Sequence, residues 1–216
     1  VSRFPLPAQA EGARASRRLG LGFTGLADAL AMLGLRYGSE QGRETAAQAM
    51  ATIRAAAYQA SAAAASEKGS FPLYDAKKYR ASADLSALPG HVIDDIEKHG
   101  LRNSHLTTIA PCGTTSLLAD NISSGVEPVF SFCSRRRIRR SDGDWEEFEL
   151  QDWAYLQWHR LHGDSPLPAW FQSIEDLKPA DHLAMQAALQ PHVDNAISKT
   201  INVPENTPFA EFESIY

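Results

Sequence analysis

The residues in the middle of the chain have types and spacing suited to binding an anion. Residues 111–116 read Pro-Cys-Gly-Thr-Thr-Ser and follow a short β-prone run, Leu106–Ala110. Pro111 has no N–H to donate and should end a strand, while Gly113 permits a tight turn. A short helix to Leu118 is predicted next, and its first N–H groups have no partner within the helix. Those N–H groups, the helix dipole and the three hydroxyls would together favour a phosphate group.

Two other interpretations of this segment stay open on local chemistry alone. Thr114, Thr115 and Ser116 could simply cap a helix, because Ser and Thr are common capping residues, and the segment lacks the Lys of a P-loop. Alternatively, Cys112 could be the nucleophile of a different phosphate-binding enzyme, since a cysteine at a helix start can be activated. That chemistry needs a base within reach, and His105 is the nearest histidine in the sequence.

The composition is that of an ordinary globular protein and argues against several classes of function. The chain has 216 residues, 44% hydrophobic and 22% charged, enough for one large domain or two small ones. Its net charge of −5 argues against a general nucleic-acid-binding protein. Two cysteines do not make a disulfide framework and suit a reducing cytosol. No apolar run approaches the roughly 20 residues that span a membrane.

With no initiating Met and no helix stop signal at its end, the chain is expected to be truncated at both ends.

The elements that would position the central segment are mostly helical. A long Ala-rich helix is predicted from Glu40 to about Lys68, with Ser39 as its N-cap and Gly69 at its end. Its apolar stripe is expected at Ala47, Met50, Ile53, Ala57 and Tyr58. Further helices are expected from Thr24 or Gly25 to Gly34, at Lys77–Ala81, from Pro89 to His99, from Asp152 to Gly163, at Pro179–Leu189 and onward from Pro208. Residues 1–16 are expected to form a loose lead-in. A non-enzymatic helical interaction domain built on the Ala-rich helix is an alternative, although it leaves the central segment unexplained.

Two β-prone runs, Val129–Ile138 and Trp145–Leu150, flank Asp142-Gly143 and predict a hairpin. The first run contains a basic stretch, Arg135–Arg140, which would suit a nucleic-acid-binding patch. We favour the alternative in which acidic residues of the second strand pair with it across the hairpin. A further β-prone run covers Ala196–Val203.

Two further features are assigned structural roles. Gly20, Gly22 and Gly25 superficially match a dinucleotide fingerprint, but no convincing strand precedes them and no βαβ unit follows. Close packing of the backbone at a helix start explains them better. Cys133, on the predicted hairpin, is expected to be a small core residue. The histidines do not have metal-ligand spacing, so no metal site is predicted.

Four sequence blocks occur in an order typical of one enzyme family. The central block reads Thr-Ile-Ala-Pro-Cys-Gly-Thr-Thr-Ser-Leu-Leu from Thr108 and Asn-Ile-Ser-Ser-Gly-Val-Glu-Pro-Val-Phe from Asn121. The others are Arg-Arg-Leu-Gly-Leu-Gly-Phe-Thr-Gly-Leu-Ala-Asp-Ala-Leu from Arg17, Glu-Lys-Gly-Ser-Phe-Pro-Leu-Tyr-Asp from Glu67, and Ser-Lys-Thr-Ile-Asn-Val-Pro-Glu from Ser198. Together they resemble the C-terminal part of the catalytic barrel in the large chain of adenosylcobalamin-dependent ribonucleotide reductases.

The resemblance implies a helix-rich α/β fold, a partial segment of a ten-stranded α/β barrel with a β-hairpin near residues 128–150. Residues 1–216 would be a single fragment of a cytoplasmic ribonucleoside-diphosphate reductase, which makes deoxyribonucleotides by thiyl-radical chemistry. The family's Asn-x-Cys-x-Glu radical motif does not occur here, so no catalytic residue is expected in the chain, which should be inactive alone. Adenosylcobalamin would be bound mainly by other parts of the protein. The expected partners are a ribonucleoside diphosphate and a thioredoxin-type reductant, and a homodimer is compatible with the family.

Carried over residue by residue, the resemblance assigns the substrate diphosphate to Pro111, Cys112, Gly113, Thr114, Thr115 and Ser116. The N–H groups and hydroxyls of residues 113–116 would bind phosphate, and Pro111 would shape the loop. Many relatives have Thr where this chain has Cys112. A thiol is a weak donor, so one phosphate contact should be weaker here.

Overall fold

The computed structural model describes residues 3–82, 85–203 and 206–213. Within these ranges the chain forms α-helices, two short 3-10 turns and one two-stranded antiparallel sheet. The helices are α1 (Pro7–Ser16), α2 (Leu26–Met32), α3 (Glu40–Lys68), α4 (Ala76–Ser82), α5 (Gly90–His99), α6 (Gly113–Leu118), α7 (Trp153–His162), α8 (Pro179–Leu189) and α9 (Phe209–Glu213). The strands are β1 (Cys133–Arg139) and β2 (Trp145–Gln151). Among the described helices, none is long and apolar enough to cross a membrane.

The chain divides into two compact units. The first contains Val1–Gly22, Ala47–Ile109 and Leu189–Ile197, and the second contains Phe23–Ala46, Ala110–Ala188 and Ser198–Tyr216. The hydroxyl-rich segment at residues 111–116 therefore belongs to the second unit.

The core of the first unit includes the apolar face of α5. Val92 and Ile96 lie four residues apart and are both buried, as the helical period predicts. They pack with Tyr58, Ala62, Phe71, Leu88, Leu101 and Leu106. Full burial of each large apolar side chain stabilises the fold by roughly 1.5–3 kcal/mol. Gly100 ends α5 at φ 71°, where an added Cβ would meet the side chains of Ser70 and Tyr74.

Helix α3 has the predicted bounds but a shifted buried stripe. The Ser39 hydroxyl accepts the Gly42 N–H at 3.0 Å, which confirms the N-cap. Met50 and Tyr58 are buried as predicted, whereas Ala47, Ile53 and Ala57 are only partly buried. The deeper stripe contains Ala46, Met50, Arg54, Tyr58, Ala62 and Ala65. Arg54 was not predicted to be buried, because a charged side chain is seldom buried without partners. Its guanidinium lies over the Tyr58 ring and donates to the Pro191 carbonyl.

The core of the second unit joins α2 and α7 through small and aromatic side chains. Ala31 of α2 and Ala154 of α7 are buried against Phe171. Trp158 contacts the Phe171 ring edge-on at a centroid distance of 5.6 Å, a favoured aromatic geometry. On α2, the buried apolar residues are Leu26, Ala27, Leu30 and Ala31, whereas Ala29 and Leu33 are exposed.

The hairpin is confirmed: β1 begins at Cys133 instead of Val129, β2 begins at Trp145 as predicted, and both strands end one residue later than predicted. The register pairs Arg135 with Glu149 and Arg137 with Glu147, and both pairs form cross-strand ion pairs. The basic run is therefore balanced across the hairpin, as we favoured. Cys133 is exposed at the first position of β1, so its predicted core role is wrong; β1 is exposed along its whole length and offers no core face.

Two further expectations need correction or confirmation near the N-terminus. The predicted loose lead-in is wrong, because residues 7–16 form α1, which starts with Pro7 at its first position, where proline is well suited to a helix. The close-packing interpretation of the glycines is confirmed. A Cβ on Gly20 would lie 2.7 Å from Thr108 Cγ2, and one on Gly22 would clash with the Thr108 carbonyl oxygen.

Neither of the other β-prone runs forms a ladder, because distant side chains take their N–H groups. In the run Leu106–Ala110, the Asp194 carboxylate accepts the Leu106 and Thr107 N–H groups at 2.7 and 3.0 Å. In the run Ala196–Val203, Gln190 Oε1 accepts the Ile197 N–H and Glu127 Oε1 accepts the Thr200 N–H. Only isolated parallel bridges remain among the described residues, Leu21 with Thr107 and Val129 with Ser173. Pro204, the residue after this run, lies outside the described residues.

Candidate phosphate-binding site

Helix α6 starts as predicted, but no side chain caps it. Its N-cap residue is Cys112, and no side-chain hydrogen bond is made there. Thr114 and Thr115 are exposed in the first helical turn. Ser116 is buried, and its hydroxyl donates to the Gly113 carbonyl at 3.1 Å. Simple capping therefore does not account for the three hydroxyls.

The polar groups of Cys112 are bonded to neighbouring protein atoms. Its N–H donates to the Ser124 hydroxyl at 2.9 Å, and its thiol donates to the Ala110 carbonyl at 3.1 Å. The Ser124 contact ties the start of α6 to the loop formed by residues 121–128. These two hydrogen bonds fix the position of Cys112 within the turn.

A cavity of about 420 Å³ lies beside this turn. Three of the six predicted residues line it, namely Pro111, Gly113 and Ser116. Half of the remaining lining residues bear a hydroxyl or an amide: Asn121, Ser123, Ser124, Ser131, Ser134, Thr200 and Asn202. The volume is in the range of small-molecule sites, and such donors can bind phosphate oxygens.

The start of α2 fixes the loop that forms one wall of this cavity. Asp28 Oδ2 accepts the Ser123 N–H at 2.7 Å, and the Ala27 N–H donates to the Ser123 hydroxyl at 3.1 Å. Thr24 Oγ1 donates to the Ser123 carbonyl and accepts the Gly125 N–H, at 2.9 and 2.8 Å. The Gly-rich block from residue 17 onward therefore has a structural link to the cavity that sequence reasoning did not find.

An ion pair between the buried Lys199 and Glu127 adjoins the cavity. Lys199 Nζ is 2.8 Å from Glu127 Oε2, and the Lys199 side chain is fully buried. The other oxygen of Glu127 accepts the Thr200 N–H at 2.8 Å. Burial lowers the pKa of Lys199, whereas the hydrogen bond and charge of Glu127 oppose that effect. Both Glu127 and Thr200 line the cavity.

A second carboxyl group in the cavity wall, that of Asp152, has a raised pKa. Asp152 caps α7 by accepting the Tyr155 N–H at 3.1 Å, as predicted, and it is 2% exposed. Burial, followed by the nearby charge of Asp28, raises the pKa of Asp152 to about 7. Asp28 is equally buried and also accepts the Ala154 N–H at 3.3 Å.

A larger cavity, about 520 Å³, belongs to the first unit, but its polar groups bond to one another. The Tyr58 hydroxyl donates to Asp194 Oδ1 at 2.8 Å, while Asp194 Oδ2 accepts two backbone N–H groups. Burial raises the pKa of Tyr58, so this donor keeps its proton. This cavity contains none of residues 111–116, although His105, the histidine considered as a base, lines it. Its greater size alone is not an argument for function.

Comparison with known proteins places the chain in a family. A family model described as the barrel domain of ribonucleotide reductase matches residues 1–216. The chain therefore belongs to the ribonucleotide reductase barrel-domain family. The helix-rich fold, with its single hairpin and isolated parallel bridges, is consistent with part of an α/β barrel.

The similar proteins share a cofactor in their names. A vitamin B12-dependent ribonucleoside-diphosphate reductase of Mycobacterium tuberculosis is 34% identical, over all of this chain and 31% of its own length. One of Thermoplasma acidophilum is 28% identical over 94% of this chain and 27% of its own length. A vitamin B12-dependent ribonucleotide reductase of Streptantibioticus cattleyicolor is 27% identical over 99% of the chain and 44% of its own length. The chain thus spans less than half the length of these relatives.

Proposed function

We propose that the chain is one barrel segment of an adenosylcobalamin-dependent ribonucleoside-diphosphate reductase and holds the diphosphate of the substrate. The observation that carries this proposal is the shared cavity. Pro111, Gly113 and Ser116 line it together with Thr200 and Asn202, which come from a separate block that also resembles the family. Two blocks far apart in the sequence thus contribute polar groups to one cavity.

The phosphate donors would be the N–H groups of Gly113, Thr114 and Thr115 and the hydroxyls of the threonines. Gly113 lines the cavity, whereas the two threonines do not line it and are exposed in the same turn. These N–H groups precede the first bond within α6, from the Ser116 N–H to the Cys112 carbonyl at 2.8 Å, so they have no acceptor inside the helix. Pro111 shapes the turn. Cys112 supports the turn through Ser124, and because its N–H is already bonded, its contact with phosphate would be limited to a weak one from the thiol.

The rest of the reaction is assigned to other parts of the full-length protein. The radical cysteine, its carboxylate partner and the reducing cysteines lie beyond residues 1–216, so the chain alone is inactive. Adenosylcobalamin, which supplies the radical when bound, is much larger than a nucleoside diphosphate and does not fit the 420 Å³ cavity; other segments bind it. The full-length protein is cytoplasmic, accepts electrons from a thioredoxin-type reductant and is able to form a homodimer.

A variant of the loop tests this proposal directly. In the double variant Thr114→Pro, Thr115→Ala, one N–H and two hydroxyls are removed, and proline is sterically tolerated in the first turn of a helix. We expect the affinity of the full-length protein for a ribonucleoside diphosphate to fall at least about tenfold, because hydrogen bonds to charged groups are strong. Calorimetric titration at fixed salt measures it. Thr52→Ala, which removes an exposed hydroxyl on α3, serves as control. Unchanged affinity in the loop variant would place the diphosphate elsewhere.

The alternative enzyme class, with Cys112 as nucleophile, makes the opposite prediction for a serine substitution. In Cys112→Ser, we expect turnover by the full-length protein to stay within about twofold, since a hydroxyl keeps the hydrogen bond to the Ala110 carbonyl. Deoxyribonucleotide formation under saturating substrate measures it. Complete loss of turnover, with diphosphate binding intact, would instead assign Cys112 to the chemistry.

A further inference from the structure

The walls of the candidate cavity carry the wrong charge for a diphosphate. Among the described residues that line it are the two carboxyl side chains of Glu127 and Asp152, but neither lysine nor arginine. A bare carboxylate in a partly buried wall repels an incoming phosphate strongly, since the effective dielectric constant there is low. Binding of an anion therefore requires that these carboxyl groups be compensated.

Lys199 compensates Glu127 from behind the wall. Its Nζ lies 2.8 Å from Glu127 Oε2, the distance of a charge-assisted hydrogen bond. The same Nζ is 3.5 Å from the Val126 carbonyl and 5.6 Å from the centre of the Tyr37 ring. The Lys199 side chain is fully buried, so it does not reach into the cavity itself.

The groups around Lys199 hold the cation in this place. The Tyr37 hydroxyl donates to the Val126 carbonyl at 2.7 Å, and burial raises the pKa of Tyr37, which keeps that phenol neutral. His182 is buried nearby, and burial together with the charge of Lys199 lowers its pKa. The negative charge of Asp181 acts on His182 in the opposite direction and raises its pKa. Glu127 is the acidic group that Lys199 contacts directly.

We propose that Lys199 is a positioning residue that neutralises Glu127 and so permits the cavity to bind a diphosphate. Lys199 acts through Glu127 without touching the ligand. Its contribution therefore increases with the charge of the ligand: largest for a nucleoside diphosphate, smaller for a monophosphate and absent for a nucleoside. This inference rests on the proposed function of the loop at residues 111–116.

Variants that remove one charge of the pair, or both, separate this role from a structural one. Lys199→Met leaves the Glu127 carboxylate uncompensated, Glu127→Gln leaves the cation without its carboxylate, and the double variant removes both charges. In the full-length protein we expect Lys199→Met to weaken diphosphate binding about five- to tenfold and nucleoside binding less than about twofold. Glu127→Gln should bind the diphosphate more tightly than the unmodified protein. The double variant should return to within about twofold of the original affinity.

The measurement is calorimetric titration of one base series, nucleoside, monophosphate and diphosphate, at fixed salt, with circular dichroism to verify folding. Lys178→Met removes an exposed lysine of the same unit and should leave all three affinities unchanged.

An equal loss of affinity for all three ligands in Lys199→Met, or no recovery in the double variant, would mean that the pair is only a structural contact. If Lys199→Met does not fold, the Glu127→Gln and double variants still decide. If the Thr114→Pro, Thr115→Ala variant weakens binding but the Lys199 series does not, only this inference fails; if neither weakens it, the proposed loop function fails as well.

Discussion

Replacement of Asp28 by alanine is expected to lower the free energy of unfolding by roughly 2–5 kcal/mol. Asp28 is 2% exposed and accepts the N–H groups of Ser123 and Ala154. Without the carboxylate both donors stay buried and unpaired, and each costs roughly 1–3 kcal/mol. Because Ser123 lies in the cavity wall, diphosphate binding should weaken along with stability.

Urea unfolding of the full-length protein, followed by circular dichroism, measures this change. Asp28→Asn should cost less than alanine, since the amide oxygen keeps one acceptor in a side chain of the same shape. Asp164→Ala, at an exposed position, is the matched control and should change the free energy of unfolding by less than roughly 0.5 kcal/mol. If Asp28→Ala behaved like this control, the link between α2 and the cavity wall would not stabilise the protein.

The second large effect is a dependence of stability on pH that Asp152 carries. Burial first, and the charge of Asp28 second, raise the pKa of Asp152 to about 7 from 3.8. Between these values the folded state binds a proton that the unfolded state has lost. The contribution of this group to stability is therefore largest below pH 4 and decreases as the pH rises towards 7, by up to roughly 1.4 kcal/mol per pH unit.

The substitution Asp152→Asn isolates this contribution. Asparagine is an equally good helix N-cap and cannot ionise. The variant should therefore lose the pH dependence of stability that Asp152 causes, while it keeps the cap on α7. Urea midpoints at pH 5, 6, 7 and 8 should show the variant gaining stability relative to the unmodified protein with each step up to about pH 7. Parallel pH profiles for the two proteins would mean that Asp152 titrates normally in the folded state.

Local signals in the sequence were sufficient for the hairpin and for the helices from α2 onward, but not for α1. Ser39 and Gly69 bound α3 at the predicted residues, because a cap and a terminating glycine act on their own neighbours. Asp142-Gly143 likewise located the hairpin, and the opposite charges of Arg137 and Glu147 indicated its pairing. These features depend on contacts between residues close in sequence.

The β-prone runs could not be predicted correctly from local pattern, since their outcome depends on distant acceptors. Nothing near Leu106 indicates that Asp194 will take its N–H group. In the same way, Glu127 takes the N–H of Thr200 across 73 residues. β-Propensity describes a side chain's fit to a pleated surface, but a ladder also requires a free partner strand.

The candidate site was predicted only in part, for the same reason. Pro111, Gly113 and Ser116 line the cavity, and family resemblance pointed to them. Glu127 and Lys199 lie in two of the blocks that resemble the family, the one from Asn121 and the one from Ser198. Their pairing across 72 residues nevertheless has no local signal in the sequence. Charge compensation of this kind becomes visible only once the cavity wall is known.

The position of a bound ribonucleoside diphosphate in the full-length protein tests the central claim most directly. A crystal structure of that complex is predicted to show phosphate oxygens within hydrogen-bonding distance of the N–H groups of Gly113, Thr114 and Thr115, with Lys199 still paired to Glu127 behind the wall. A diphosphate bound away from residues 111–116, with their cavity lacking nucleotide, would contradict the account.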